Sequence, residues 1–470
     1  MKMSGWIFRC LVVLALLSLR VATGAQTNAV ALDAGEWGRY RLWMPSAGPA
    51  RELALWLAGG DPAGKDLQSA VAALNREGYA VAVIDTREYL ERVDGPLTDG
   101  RTPECLDFAS PLQWTAQMLQ RTRLGFSDYR PALLIGDGAG AGIAYAALAQ
   151  VPAGTFSGAL GIDISPQTSL RRALCGLQYL PDSGSGRQQL ASDYPLGGWW
   201  MLATRAEPSP AQLELRAGIM EHSPASRLPI LSGATLSEVI DGLSKELPTL
   251  ATAGANAHSP IADIPVVEVN AHSGRSILAV IYSGDGGWRD IDKRVGDYLA
   301  GRDIAVIGID TLRYFWKKRD PAQVARDLGR VLDHYRAAWG MERVALIGYS
   351  FGADILPSTY NGLDADQRRR VLLVSLLAPE LATDFEVHVK GWLGMDAGSG
   401  ARPILPEARR IGGDLLQCIY GRGEQSDSLC PRLTPAEAEV VLLPGGHHFD
   451  NDYTKLGELL LAAIDRHTRH

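Results

Sequence analysis

The chain is poor in cysteine, in aromatic residues and in positive charge. Five cysteines stand among 470 residues, and aromatic side chains make up 7%. Lys and Arg number 46 against 53 Asp and Glu, a formal net charge of −7. Proteins that grip nucleic acid gather Lys and Arg on one face, so this balance argues against a nucleic-acid partner. No His-Glu-x-x-His or Cys-x-x-Cys pattern accompanies the nine histidines, which leaves no recognisable motif for a metal. Nothing in the composition, 46% hydrophobic and 21% charged, points to a coiled coil or to disorder. The length asks for two domains.

The N-terminus is the first informative stretch. Lys2 and Arg9 precede an apolar core from Cys10 to Leu19, and small residues follow up to Ala25. The core is too short to cross a bilayer. Its flanks fit a Sec-type signal peptide cleaved near Ala25, with an uncleaved anchor as the alternative. Residues 1–25 are therefore set apart from the fold. Export makes disulfides permissible. Without Cys10, the remaining Cys105, Cys175, Cys418 and Cys430 allow three connectivities. Proximity favours Cys418–Cys430, which closes a short loop, with Cys105–Cys175 in the first half; free buried thiols are the alternative.

The organising feature is an internal repeat. "LALWLAGGDPAG" (53–64) matches "LAVIYSGDGGW" (278–288), each an apolar run ending in Gly-Asp. "GYAVAVIDTREY" (78–89) matches "GRDIAVIGIDTLRY" (301–314), each ending its strand in Ile-Asp-Thr. "RPALLIGDGAGAGIAYA" (130–146) matches "RVALIGYSFGADILPS" (343–358). About a dozen extra residues around "DGPLTDGRTPECL" lengthen the first copy. In each copy short apolar runs alternate with amphipathic helices. Val324, Leu328, Val331, Leu332 and Tyr335 share one helical face behind an Asp320-Pro321 start. Continuous apolar strands such as "VALIG" fit a parallel sheet covered on both sides, so the expected fold class is α/β. Residues 26–246 form the first domain, 247–265 an Ala-, Pro- and Gly-rich linker, and 266–470 the second domain.

The second copy carries the chemistry. Gly348-Tyr349-Ser350-Phe351-Gly352 is Gly-x-Ser-x-Gly, placed between a strand and a helix. A sharp turn there lifts a serine Oγ clear of the sheet, and the close backbone approach admits only small flanking residues. The partners of such a serine follow in the order acid, then His. Glu424, on the loop after "CIYG", is the favoured acid and Asp427 its rival; a Cys418–Cys430 bridge would brace both. His447, directly after Gly445-Gly446, is favoured over His448 as the base. Phe351 is expected to give one oxyanion N–H, and Asp285 or Gly286 in "YSGDGGW" the other. Trp288 is expected to wall the pocket. In the first copy Gly138 stands where Ser350 does, and no histidine lies opposite His447. "GDGAGA" (136–141) also fits the looser dinucleotide pattern G-x-G-x-x-A, but as a degenerate elbow it needs no cofactor, and none is expected.

Together "GYSFGAD", "YSGDGGW", "CIYGRGEQSDSLC", "GGHHFDNDY" and the degenerate first copy resemble the AcvB/VirJ family of bacterial virulence proteins. The likeness covers nearly the whole chain in the two-copy form, and the second copy alone in the VirJ form. It implies two tandem α/β-hydrolase-like domains, the first degenerate, in a periplasmic protein. It implies hydrolysis of aminoacyl-phosphatidylglycerol, with Ser350 as nucleophile, His447 as base and Glu424 or Asp427 as acid. It also implies a possible secretion-system partner; a general exported carboxylesterase or acyl-peptidase, or a non-enzymatic virulence or secretion accessory protein, stands as the alternative. Such a substrate carries an ammonium group, for which Asp354, Asp450 and Asp452 are candidate carboxylates. A lipid also asks for an apolar approach. Residues 388–406 form a candidate lid with Trp392 as anchor, and Tyr314, Phe315 and Trp316 beside Lys317, Lys318 and Arg319 form a candidate contact with an anionic membrane surface.

Overall fold

The computed structural model describes residues 29–33, 39–93, 105–168, 170, 172–175, 180–181, 188–253, 259–387 and 401–468. The signal peptide read at 1–25, Trp392 and most of the candidate lid lie outside the described residues.

Strand and helix alternate along both halves, and each half builds its own sheet. The first half supplies β1 (Ala29–Asp33), β2 (Arg39–Trp43), β3 (Glu52–Ala58), β4 (Tyr79–Asp85), β5 (Ala132–Asp137), β6 (Phe156–Ile162), β7 (Trp199–Thr204) and β8 (Leu231–Ser232). They lie in the order β1-β2-β4-β3-β5-β6-β7-β8. The second half supplies β9 (Val266–Asn270), β10 (Ile277–Tyr282), β11 (Ala305–Ile309), β12 (Arg343–Tyr349), β13 (Val371–Leu377), β14 (Leu416–Gly421) and β15 (Glu439–Leu443). Their order is β9-β11-β10-β12-β13-β14-β15. Without β1 the two orders coincide. In each, the strand beside the Ile-Asp-Thr strand runs antiparallel to it, and the rest of the sheet is parallel. This is the α/β-hydrolase arrangement, present twice.

The apolar runs explain the layering. β10, β11 and β13 are buried along their whole length, as strands covered by helices on both faces must be. Each sheet accordingly has one apolar core on either face. The Pro321–Trp339 helix buries Val324, Leu328, Val331, Leu332 and Tyr335, and Asp320 caps it by accepting from the Ala322 and Gln323 N–H groups. The linker differs from its sequence reading. The Leu236–Ala253 helix runs through its first residues, and Ile261 and Ile264 at its far end are buried in a core of the second half.

The two halves are pinned together by residues read from the sequence as membrane-facing. Tyr314, Phe315 and Trp316 are all buried. The Trp316 indole donates to the Phe126 carbonyl at 3.0 Å, and the Arg121 guanidinium lies 4.0 Å over its ring. Arg121 also donates to the Trp316 carbonyl. Tyr129 meets the same ring edge-on, and Lys317 pairs with Asp128 at 2.6 Å. Trp316 faces the other domain, while Phe315 packs on Phe351 and Phe385 and the Tyr314 hydroxyl donates to Asp327 inside the second half, so burial removes all three rings from water. No helix among the described residues is long and apolar enough to cross a membrane.

Candidate active site

β12 ends at Tyr349 and the Phe351–Asn361 helix begins at once, so Ser350 alone makes the corner, with φ 52° and ψ −122°. A left-handed backbone at a residue other than glycine is strained by about 1–3 kcal/mol. Packing enforces it. A Cβ on Gly348 would lie 2.5 Å from the Gly352 carbonyl oxygen, and one on Gly352 would lie 2.3 Å from that of Tyr282. The Ser350 N–H donates to the Leu377 carbonyl of β13 at 2.8 Å. Gly138 in the first half has the same corner, φ 53° and ψ −118°, and its N–H donates to the Ile162 carbonyl at 2.9 Å. "GDGAGA" thus takes the backbone of an elbow that lacks its hydroxyl.

The late loops meet this serine. Ser350 Oγ is 2.8 Å from His447 Nε2, and His447 Nδ1 is hydrogen-bonded to Glu424 Oε1. Both partners sit on loops that follow neighbouring strands, β14 and β15. Glycine brings these loops together: a Cβ on Gly421 would lie 2.2 Å from the Gly446 carbonyl oxygen, and the Gly423 N–H donates to Gly445 at 2.8 Å. The Cys418–Cys430 disulfide ties β14 to the far end of the acid loop, and Cys105–Cys175 bridges the first half.

Of the two candidate acids, Glu424 reaches the imidazole and Asp427 does not. A short 3-10 turn over Arg422–Glu424 aims Glu424 inward, while Asp427 is exposed and accepts from Ser426 Oγ at 3.0 Å. His448 turns to the Tyr349 hydroxyl, 3.1 Å from its Nδ1. Tyr349 also lies 3.3 Å from the His447 carbonyl, so the residue before the nucleophile steadies the histidine loop. Burial pulls the His447 pKa down, but the hydrogen bond and charge of Glu424, helped by Asp285 and Glu380, outweigh it and hold the imidazole above its ordinary value. Burial and the neighbouring His447 push His448 the other way.

The Gly-Asp loop after β10 faces Ser350 across a cavity of about 380 Å³. Thr311 of the Ile-Asp-Thr segment fixes its base, with its N–H on Ser283 Oγ at 3.1 Å and its hydroxyl on the Ser283 carbonyl at 3.0 Å. Asp285 and Gly286 line the cavity, and Phe351 opens a helix whose first N–H groups have no partner within the helix. Arg289 folds back onto this loop, its Nε donating to the Gly286 carbonyl at 2.9 Å. Asp292 also lines the cavity, and burial pushes its carboxyl well above the usual range. One of its oxygens accepts the Arg289 N–H at 3.2 Å, and the other is buried without a hydrogen-bond partner among the described residues.

Four sequence-read binding residues stand elsewhere. Trp288 packs under the sheet, in the slot left by Gly308, where an added Cβ would lie 2.0 Å from its ring. Asp354 is buried and accepts the Glu380 N–H at 2.7 Å. Asp452 is exposed and accepts the Lys455 N–H at 3.0 Å, at the start of the last helix. Asp450 is exposed in a left-handed turn. Arg289 and Asp292 were missed, although the helix that begins right after "GDGGW" is a signal that its first turn faces the loop. Ser110 and Trp114 of the first half, which line the same cavity, left no mark in the sequence. Among the described residues no group of three or more His, Cys, Asp or Glu is placed to hold a metal ion.

Residues 276–468 match the family model described as bacterial virulence protein (VirJ). Over these residues, within its second half, the chain is similar to the VirJ family. The VirJ match contains Ser350, Glu424 and His447, and it begins after the first half has ended. Comparison with curated proteins gives no significant match. Solved structures similar to the chain include Est1E from Butyrivibrio proteoclasticus with ferulic acid bound, at 11% identity, 44% of this chain, 95% of that one and a TM-score of 0.33. Pyrococcus furiosus esterase Pf2001 is similar at 14% identity, 42% of this chain, 86% of that one and a TM-score of 0.31. The esterase domain of a Rhodothermus marinus protein is similar at 17% identity, 48% of this chain, 97% of that one and a TM-score of 0.30.

Proposed function

We propose that this chain is a serine esterase of the periplasm that hydrolyses the aminoacyl ester of lysyl- or alanyl-phosphatidylglycerol. The carrying observation is the hydrogen-bonded series Glu424–His447–Ser350 opening onto a cavity lined by Asp285 and Asp292. Ser350 Oγ attacks the ester carbonyl as His447 Nε2 takes its proton. The oxyanion is held by the Phe351 N–H and that of Asp285 or Gly286. Collapse expels the glycerol oxygen, which leaves with the proton from His447 as phosphatidylglycerol. Water, deprotonated by the same imidazole, releases the amino acid and restores Ser350. Glu424 keeps the imidazole in the needed tautomer and stabilises its cation.

The acidic surroundings support an aminoacyl group over a plain acyl chain. The Glu380 carboxyl is pushed up by burial, with Asp285, Glu424 and Asp427 adding to the effect, so several carboxylates share one field around His447. An ammonium is drawn into such a field. The two disulfides fit an oxidising compartment outside the cytosol. A second reading, an exported esterase for soluble esters, is favoured by the burial of Tyr314, Phe315 and Trp316, which removes one candidate lipid contact.

Incubation with lysyl- and alanyl-phosphatidylglycerol vesicles, and separately with a short-chain nitrophenyl ester, distinguishes these. Free amino acid is expected from the lipids, and Ser350→Ala should lower its release at least about a thousandfold. Release from neither lipid, with the short ester still cleaved, selects the second reading. An unchanged rate in Ser350→Ala removes both.

A further inference from the structure

Resting on that reading, we infer that the amino-acid pocket is built jointly by the two halves, and that Trp114 of the first half is a specificity-determining residue for the cationic aminoacyl group. The Ala109–Leu119 helix presents Ser110, Gln113, Trp114 and Gln117 at the spacing of one helical face. Ser110 and Trp114 line the cavity that holds Ser350, Asp285 and Asp292. Between them, Gln113 is buried against the Gly-Asp loop: a Cβ on Gly287 would lie 3.2 Å from its Nε2. The helix of the first half therefore touches the loop proposed to hold the oxyanion.

Both ends of this helix are fixed. Asp107 accepts from the Ala109 and Ser110 N–H groups at 2.9 and 3.0 Å. Just before it, Leu106 exchanges backbone hydrogen bonds with Ala173 and Cys175 beside the Cys105–Cys175 disulfide. Just after it, Arg121 and Phe126 grip Trp316 of the second half. A wall held in this way is not free to withdraw from the cavity.

The chemistry of the cavity selects its occupant. An indole attracts an ammonium placed against its face and gives the alkyl stem of a lysyl group an apolar surface. Asp292 contributes a buried carboxyl oxygen with no hydrogen-bond partner among the described residues, and such an atom calls for a donor. Trp114 from one half and Asp285 and Asp292 from the other thus enclose a site for an ammonium beside the nucleophile. The first half has lost its own nucleophile and serves the second as part of its substrate site.

The test uses the full chain, with lysyl-phosphatidylglycerol in mixed micelles and p-nitrophenyl acetate as substrates. Trp114→Ala should lower kcat/KM for the lysyl lipid about tenfold more than for the acetate, mainly through KM, and Trp114→Phe should recover most of the loss. Equal loss on both substrates, or no loss on either, overturns the inference. Fluorophosphonate labelling of Ser350 and a melting curve report whether Trp114→Ala is folded. If it is not, Ser110→Trp, which fills the cavity from the same helix, decides: selective loss of lysyl-lipid hydrolysis supports the inference, and wild-type discrimination overturns it. Wild-type protein that labels at Ser350 and cleaves the acetate but releases no lysine overturns the aminoacyl reading and the inference together. Wild-type protein that releases lysine alongside variants with unchanged discrimination overturns the inference alone.

Discussion

His447 sets the pH dependence expected of this site. A general base acts in its neutral form, so activity rises as the imidazole loses its proton. Glu424 holds that pKa above the ordinary 6.5, so the acid limb of kcat/KM should have its midpoint above pH 6.5. Glu424→Gln removes the charge that favours the imidazolium; it should move the midpoint to lower pH and reduce kcat about a hundredfold or more. Asp427→Asn should leave both within about twofold, because Asp427 does not touch the imidazole. A pH–rate series on the three proteins checks this, and a larger effect at Asp427 than at Glu424 reverses the assignment. The serine and histidine were legible in the sequence because each follows a strand with glycine beside it. The acid was not: Glu424 and Asp427 share one loop, and only the local 3-10 turn decides which of them points inward. Trp288 and Asp354 misled for a related reason. Their sequence neighbours put them near the nucleophile, but Gly308 in another strand and Glu380 in another loop draw them away.

At the scale of elements, the loop from Gly421 to Cys430 is the part whose position matters most. It carries Glu424, it is pressed against the histidine loop at Gly445 and Gly446, and a disulfide closes it. Closing a loop of this size stabilises a fold by about 3 kcal/mol. Replacing Cys418 and Cys430 with serine should lower the melting temperature and reduce kcat, with Ser350 still present but less reactive to fluorophosphonate. Full reactivity together with a lowered melting temperature would show that the bridge serves stability alone. The sheets themselves were readable from the sequence, because fully buried parallel strands are continuous apolar runs and the repeat supplies each one twice. The linker was misread because its Ala-rich beginning continues a helix whose buried face starts upstream, and composition does not report where a helix stops.

At the scale of the molecule, the contact between halves is the feature no single-copy pattern contains. Trp316 is its centre, packed by Arg121, Phe126 and Tyr129. Trp316→Ala should cost about 3–5 kcal/mol at that contact. Calorimetry should show one broad transition splitting into two as the halves uncouple, and lysyl-lipid hydrolysis should fall as the Ala109–Leu119 helix loosens. A single sharp transition at the original temperature would mean the halves are joined elsewhere. The corner at Gly138 has a consequence of another kind. It keeps the dihedral angles of Ser350 although it carries no hydroxyl. Its shape is therefore upheld by the crossing of strand and helix, and chemistry is a tenant there. In other duplicated chains, a retired catalyst can be found by the bend it leaves behind, long after the reactive atom has gone.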